Sequence, residues 1–302
     1  MAAKNSNEIS QKKSRKLLVS VIIIAALACM FIAVQIAANY IAETKLKEFV
    51  TGLGAPYPVS WSKVRYKLWK RQLEITNFTV GDAKADMITI PKITNGPSAP
   101  KYIAISIKNF SIPVNEDFLG KHHVVFGNMG YRYFTGFADL TASLGDDNRL
   151  DFAISNMTIA EVGAADIKMT IGEIYEQSIP SIVRAISDKT VTDMWVIFED
   201  KGFANRVIDL FAITTNTPRD RAKARALNGL NRRVHTQLIA DSEQRRSLAQ
   251  LYRFFDNPNR LTLQLSDGQT DVLVKDIFQP NATGWRSLTE WFTNLSFNVT
   301  AN

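Results

Sequence analysis

The sequence predicts an α+β protein in which an N-terminal transmembrane helix precedes a curved, bulged, mostly antiparallel β-sheet, with helices packed onto the sheet from the C-terminal half. Three observations lead there. The run Leu17 to Ala38 carries no charge at all. From Val59 to about Ile174 apolar residues recur at every second position, the period of a strand with one oily and one wet face. Beyond Thr170 the spacing lengthens to three and four, the period of a helix with one buried stripe.

The 302 residues, 46% of them hydrophobic, are enough for one large or two modest units with a real core. The uncharged run is about 22 residues, roughly 33 Å of helix, which matches the apolar thickness of a bilayer. Lys4, Lys12, Lys13, Arg15 and Lys16 precede it against Glu8 alone, whereas Glu43 and Glu48 balance Lys45 and Lys47 after it. The positive-inside rule then puts residues 1–16 in the cytoplasm as a basic tail, 17–40 in the inner membrane as a single-pass anchor, and the rest outside. A cleaved signal peptide is the alternative, but its apolar region is usually only about 7 to 15 residues. Ala26-Leu27-Ala28-Cys29 hints at a lipoprotein cleavage box, yet Met30 to Val34 continue the apolar helix past it.

Cys29 is the one cysteine, so the remainder of the chain has no disulfide. A secreted eukaryotic domain of this size usually has some, and the expectation is a bacterial protein facing the periplasm.

Residues 41–58 read as a linker: a helical continuation with Leu46, Phe49 and Val50 on one side, stopped by Gly52, Gly54, Pro56 and Pro58. The β-rich region, 59–175, carries a repeat. Asn77, Asn109 and Asn156 each open an N-x-S/T triplet, with apolar residues two and four positions before the Asn and one and three after it. The sets are Leu73, Ile75, Phe78 and Val80; Ile105, Ile107, Phe110 and Ile112; Phe152, Ile154, Met157 and Ile159. A single slip of the alternation falls at the same Asn each time. A β-bulge does this, because one extra residue returns the following side chains to the same face, and Asn tolerates the left-handed backbone that some bulges need. Asn294 fits half the pattern. The three sets together predict an apolar groove, and without other cysteines the glycan reading of the triplets is weak.

The region 176–302 is expected to be α+β, with basic helices and terminal strands. Ile179, Ile182, Val183 and Ile186 form a short stripe, Met194 to Phe198 a buried strand, and Phe203, Val207, Leu210 and Phe211 the inner face of a helix. Thr217-Pro218 with Asp220 starts another helix, whose stripe runs through Leu227, Leu230, Val234 and Leu238. A further helix from Asp241 carries Leu248, Leu251, Tyr252 and Phe255; "RLTLQLSDG" then returns to strand, with Val272, Val274 and Ile277 as its expected pairing partner.

Two basic clusters are candidate contacts for a membrane or anionic lipid. One interleaves Lys63, Arg65, Lys67, Lys70 and Arg71 with Trp61, Tyr66 and Trp69, and Trp and Tyr favour membrane interfaces. The other lies between Arg219 and Arg253, where nine basic residues stand against three acids and Arg232, Arg233, Arg245 and Arg246 form two pairs. For both, a solvated basic surface is the plainer alternative. No catalytic, cofactor or metal residue is expected: His122-His123 reads as an adjacent pair on a strand, with rings on opposite faces, and no H-E-x-x-H, G-x-S-x-G, phosphate-binding glycine loop or cysteine nucleophile occurs.

"VSWSKVRYKLWKRQLEITNFTV" after a single anchor resembles the opening of bacterial AsmA-like and related periplasmic proteins. "VIFEDKGFANRVIDLFA" and "FFDNPNRLTLQL" are similar to the distal half of periplasmic relatives. The resemblance implies a curved sheet with a groove for phospholipid or other envelope lipid. The expectation is a non-enzymatic, inner-membrane-anchored periplasmic protein whose partners are the lipid membrane, an envelope lipid and other envelope proteins, with no nucleic acid. The alternative is a structural or interaction protein of an envelope complex.

Overall fold

The computed structural model describes residues 30–48, 50–51, 57–95, 100–175, 182, 185–235, 242–265, 272–274 and 297–302. Helix α1 (30–48) leads into strands β1 (Val59–Ser60), β2 (Lys63–Lys67), β3 (Gln72–Val80), β4 (Ala83–Asn95) and β5 (Pro100–Pro113). Two short helices, α2 (Glu116–Leu119) and α3 (His123–Asn128), connect to β6 (Tyr133–Leu144), β7 (Leu150–Ile159), β8 (Gly163–Ile171) and β9 (Val191–Asp200). Helices α4 (Phe203–Thr214), α5 (Arg219–His235) and α6 (Ser242–Asp256) follow, then β10 (Arg260–Leu265) and β11 (Phe297–Ala301).

The strands form one antiparallel sheet in the order β1-β3-β4-β5-β6-β7-β8-β9-β10-β11, with β2 also on β3. Sequence neighbours are sheet neighbours from β3 to β11, through short turns at β3–β4, β6–β7 and β7–β8 and even where α4 to α6 intervene between β9 and β10. The sheet does not stop where the helices begin. It continues through β9, β10 and β11, and α4 to α6 pack against that end of it. Their buried stripes, including Val207, Leu227, Leu230, Leu248, Leu251 and Phe254, meet Leu150, Met169, Met194, Leu263 and Val299 of the sheet in one apolar cluster. Asp200 starts α4: its carboxylate accepts from the Gly202 and Ala204 amides at 3.0 and 2.8 Å, satisfying N–H groups that a helix leaves open at its first turn.

The expected membrane-crossing helix is corrected. No helix among the described residues is long and apolar enough to cross a membrane. Residues 17–29 lie outside the described residues, and 30–40 belong to α1, which runs on through Glu43, Lys45, Lys47 and Glu48. The polar residues inside the predicted span have another task. Asn39 Oδ1 accepts from the Tyr66 amide at 2.7 Å, and Gln35 Nε2 donates to the Tyr66 carbonyl, so α1 lies along the free edge of β2. The fold class is therefore a large antiparallel sheet with helices, one of which closes a sheet edge where an apolar anchor was expected.

Smaller expectations also shift. Val272 and Val274 do not pair with β10; the Val272 carbonyl accepts from Val191 at 2.8 Å and the Val274 amide donates to Lys189 at 3.0 Å, beside the start of β9. His122 and His123 lie in helical turns after β5 and not on a strand, and His123 Nδ1 is 2.7 Å from the Gly120 carbonyl. Ile179, Val183, Leu238, Ile277 and Asn294 fall outside the described residues.

Candidate functional site

Asn77, Asn109 and Asn156 have φ of 50, 50 and 52°, the left-handed conformation for which Asn is among the better non-glycine residues. At Asn109 one residue is extra relative to β6: Ile107 faces Ala138 and Phe110 faces Gly136, three steps against two. At Asn156 the extra residue is felt on both sides, since Ile154 and Met157 face Ile167 and Ala165 of β8, and the β6 register shifts as well. Asn77 differs. Ile75 and Phe78 face Ile88 and Ala85, three steps against three, because β4 carries a matching extra residue.

Each slip keeps the apolar residues together. Following the register across the sheet, Leu73, Ile75, Phe78 and Val80 lie on the same face as Ile105, Ile107, Phe110 and Ile112, and as Phe152, Ile154, Met157 and Ile159. The part of this face that carries Leu150, Met169, Met194, Leu263 and Val299 is covered by α4 to α6, while Ile154, Met157 and Ile159 of β7 stay half-buried outside that cluster. The buried cluster, however, contains no residue of β3, β4 or β5. There Ile75 is buried, while Leu73, Phe78, Val80, Ile105, Ile107, Phe110 and Ile112 stay half-buried. One continuous apolar face is thus helix-covered at one end and more open at the other.

What the sequence reading missed is what holds the slips. Asn77 Nδ2 donates to Ser62 Oγ at 2.8 Å, Asn109 Nδ2 to Asp86 Oδ2 at 3.0 Å, and Asn156 Nδ2 to Asp139 Oδ2 at 3.2 Å. Asp166 Oδ1 accepts from the Asn156 amide at 2.9 Å. Each left-handed Asn therefore bonds to a polar side chain on the preceding stretch of sheet, and the pairs make a polar row across it. A shallow depression of about 240 Å³ beside Asn156, bordered by Phe137, Asp166, Ile197 and Glu199, lies on this row. An acid on the strand before the Asn, present for Asn109 and Asn156 and replaced by Ser62 for Asn77, is the only local signal, and the register needed to pair them is not legible beforehand.

The two basic clusters are not brought together. Lys63, Arg65, Lys67, Lys70 and Arg71 lie on β2 and the turn after it, beside α1, whereas Arg232 is exposed on α5 and Arg245 and Arg246 on α6, which packs on β10 and β11 at the other end of the strand order. The Arg233 side chain lies outside the described residues. Lys67 binds Glu74 at 2.5 Å. Trp69 is 87% exposed and stacks on Phe31 with ring centroids 5.8 Å apart. Trp61 is half-buried and borders, with Glu43, Lys47, Val50 and Val59, a depression of about 410 Å³ between α1 and β1.

Away from the open face, Arg206 of α4 ties the helical layer to the β5–β6 connection. Its guanidinium lies 4.4 Å from the Tyr131 ring centroid, Nη1 donates to the Met129 carbonyl at 2.8 Å, and Nη2 donates to Glu161. Burial pushes the Tyr131 phenol above its ordinary pKa, against the opposing pull of Arg206. Among the described residues no group of three or more His, Cys, Asp or Glu could hold a metal ion.

A family model described as "Uncharacterized protein" matches residues 150–302, which span β7 to β11 and the helices α4 to α6. No curated protein and no solved structure matches the chain.

Proposed function

We propose, for a chain that belongs to the family whose model spans residues 150–302, a non-enzymatic role in lipid handling, in which an acyl chain lies against the open part of the sheet face. The observation that carries this reading is the contrast along one face. Leu150, Met169, Met194, Leu263 and Val299 are sealed under the helices, whereas Phe78, Ile105, Ile107, Phe110 and Ile112 over β3 to β5, and Ile154, Met157 and Ile159 of β7 beside them, keep part of their surface exposed. Contiguous apolar surface of this sort normally marks a binding site, and an extended face without convergent polar groups suits a flexible hydrocarbon chain better than a compact polar ligand. The bulges support it, because each increases local twist and bends its strand.

Native mass spectrometry of the purified full chain tests this. Bound phospholipid or fatty acid is expected, and Ile107→Asp, which puts a charge in the middle of the open face, should release it while leaving the helix-covered cluster intact. A lipid-free mass, with no uptake of a fluorescent fatty acid, would leave the second reading, a protein-interaction module. That reading draws on α5, whose Arg221, Arg225 and Arg232 are all exposed.

A further inference from the structure

We propose that the corner of the sheet made by α1 and the β2–β3 turn is seated on an anionic lipid bilayer, with Trp69 in the headgroup layer and Lys63, Arg65, Lys70 and Arg71 on the headgroup charges. This deepens the lipid reading above, since it names where a lipid would pass between bilayer and open face.

Charge is the first argument. Three acids lie in this corner, and each is taken by a lysine: Glu43 by Lys47 at 3.0 Å, Glu48 by Lys45 at 2.6 Å and Glu74 by Lys67 at 2.5 Å. Lys63, Arg65, Lys70 and Arg71 are exposed and form no ion pair among the described residues. Four uncompensated cations on one hairpin repel one another in water and are stabilised by an anionic surface.

Exposed apolar surface is the second argument. Met30, Ile32, Val34, Ile36 and Ile41 of α1 are exposed, and Trp69 beside them is 87% exposed. At 100° per residue, Met30, Val34 and Ile41 lie on one flank of α1 and Ile32 and Ile36 on another, with Gln35 and Asn39 facing β2. A rigid protein groove covers one flank, whereas a fluid apolar phase wets both. The apolar part of α1 is also the part beside Trp69, and its charged part, Glu43 to Glu48, lies toward β1. Apolar residues, an interfacial Trp and free cations therefore meet at one corner, in the combination that favours a bilayer interface.

The test uses full-length protein and vesicles of phosphatidylcholine, alone or with about one third phosphatidylglycerol. At low salt, binding should be at least about tenfold tighter to the anionic vesicles, and salt should reduce the preference. Replacing Lys63, Arg65, Lys70 and Arg71 together by Gln should abolish it, while Arg221→Gln with Arg225→Gln on α5 should not. Brominated lipid should quench tryptophan emission in the wild type, and Trp69→Phe should remove that component. Thermal melts read the folding of each variant separately. The proposal is overturned by equal binding to both vesicle types, by a preference that survives the fourfold replacement, by an unquenched Trp69, or by a corner occupied only by a partner protein. Lipid found in the purified protein reports on the open face and not on this corner, so the two readings fail separately.

Discussion

Ser247 of α6 closes the last edge of the sheet at Val299: its hydroxyl oxygen accepts from the Val299 amide at 3.3 Å and its proton goes to the Phe297 carbonyl at 2.7 Å. Gln250, three residues further along α6, accepts from the Ala301 amide at 3.3 Å. At the opposite edge, Asn39 and Gln35 of α1 do the same for the amide and carbonyl of Tyr66. An unpaired edge strand offers its backbone groups to any other strand, and here helical side chains occupy them.

Ser247→Ala should therefore cost more than a surface substitution. It leaves a buried donor and acceptor without partners, an expected loss of about 1–3 kcal/mol in a urea unfolding curve. The variant should also self-associate on partial unfolding, detectable by light scattering. Ser247→Thr, which keeps the hydroxyl, should recover most of the loss.

Asn109→Val should destabilise the protein by about 1–3 kcal/mol, because a β-branched residue resists a φ of 50° and the bond to Asp86 is lost. Asn109→Gly separates the two causes: it accepts the backbone and loses only the bond, so its cost should be clearly smaller. Ser111→Ala, which removes the glycan triplet and leaves the slip intact, should be nearly silent.

Gly136 faces Phe110 and Ile159 across the sheet, where β5 and β7 each carry their extra residue. A Cβ at Gly136 would lie 1.8 Å from the Thr158 carbonyl oxygen, so the backbone itself must move. Gly136→Ala is expected to lower stability by several kcal/mol, or to prevent folding, and to reduce hydrogen-exchange protection first in β6 and β7.

Tyr131 gives a pH dependence with a definite sign. Burial raises its folded pKa above the ordinary 10.0, so as pH rises past that value the unfolded chain ionises first and stability falls, until the folded phenol ionises too. Below the ordinary value the contribution is fully present. Tyr131→Phe should remove this component of the alkaline loss. At neutral pH it should cost only the hydrogen bond from the phenol to the Glu161 carbonyl, which is 3.2 Å long. Stability measured against pH for both proteins, compared as a difference, checks it.

What the sequence by itself determined is which side chains share a face. Side-chain direction in a strand alternates with the local backbone, so the phase slip at Asn77, Asn109 and Asn156 could be read from one strand at a time, and the helical stripes from Val207 to Phe255 likewise follow from local spacing. The tertiary structure decided everything that depends on a neighbour. Ser62, Asp86 and Asp139 come to the three asparagines from 15, 23 and 17 residues away. At Asn77 the expected bulge is shared with β4, which only the register reveals. Apolar composition predicted a crossing helix where Gln35 and Asn39 instead dock α1 on Tyr66, because hydropathy counts side chains without asking which backbone groups they meet. For the same reason, only packing decided that helices cover Leu150, Met169, Met194, Leu263 and Val299 and that the cluster they build includes no residue of β3 to β5. Burial is set by the elements that come together in space, and periodicity records only the side on which they can meet.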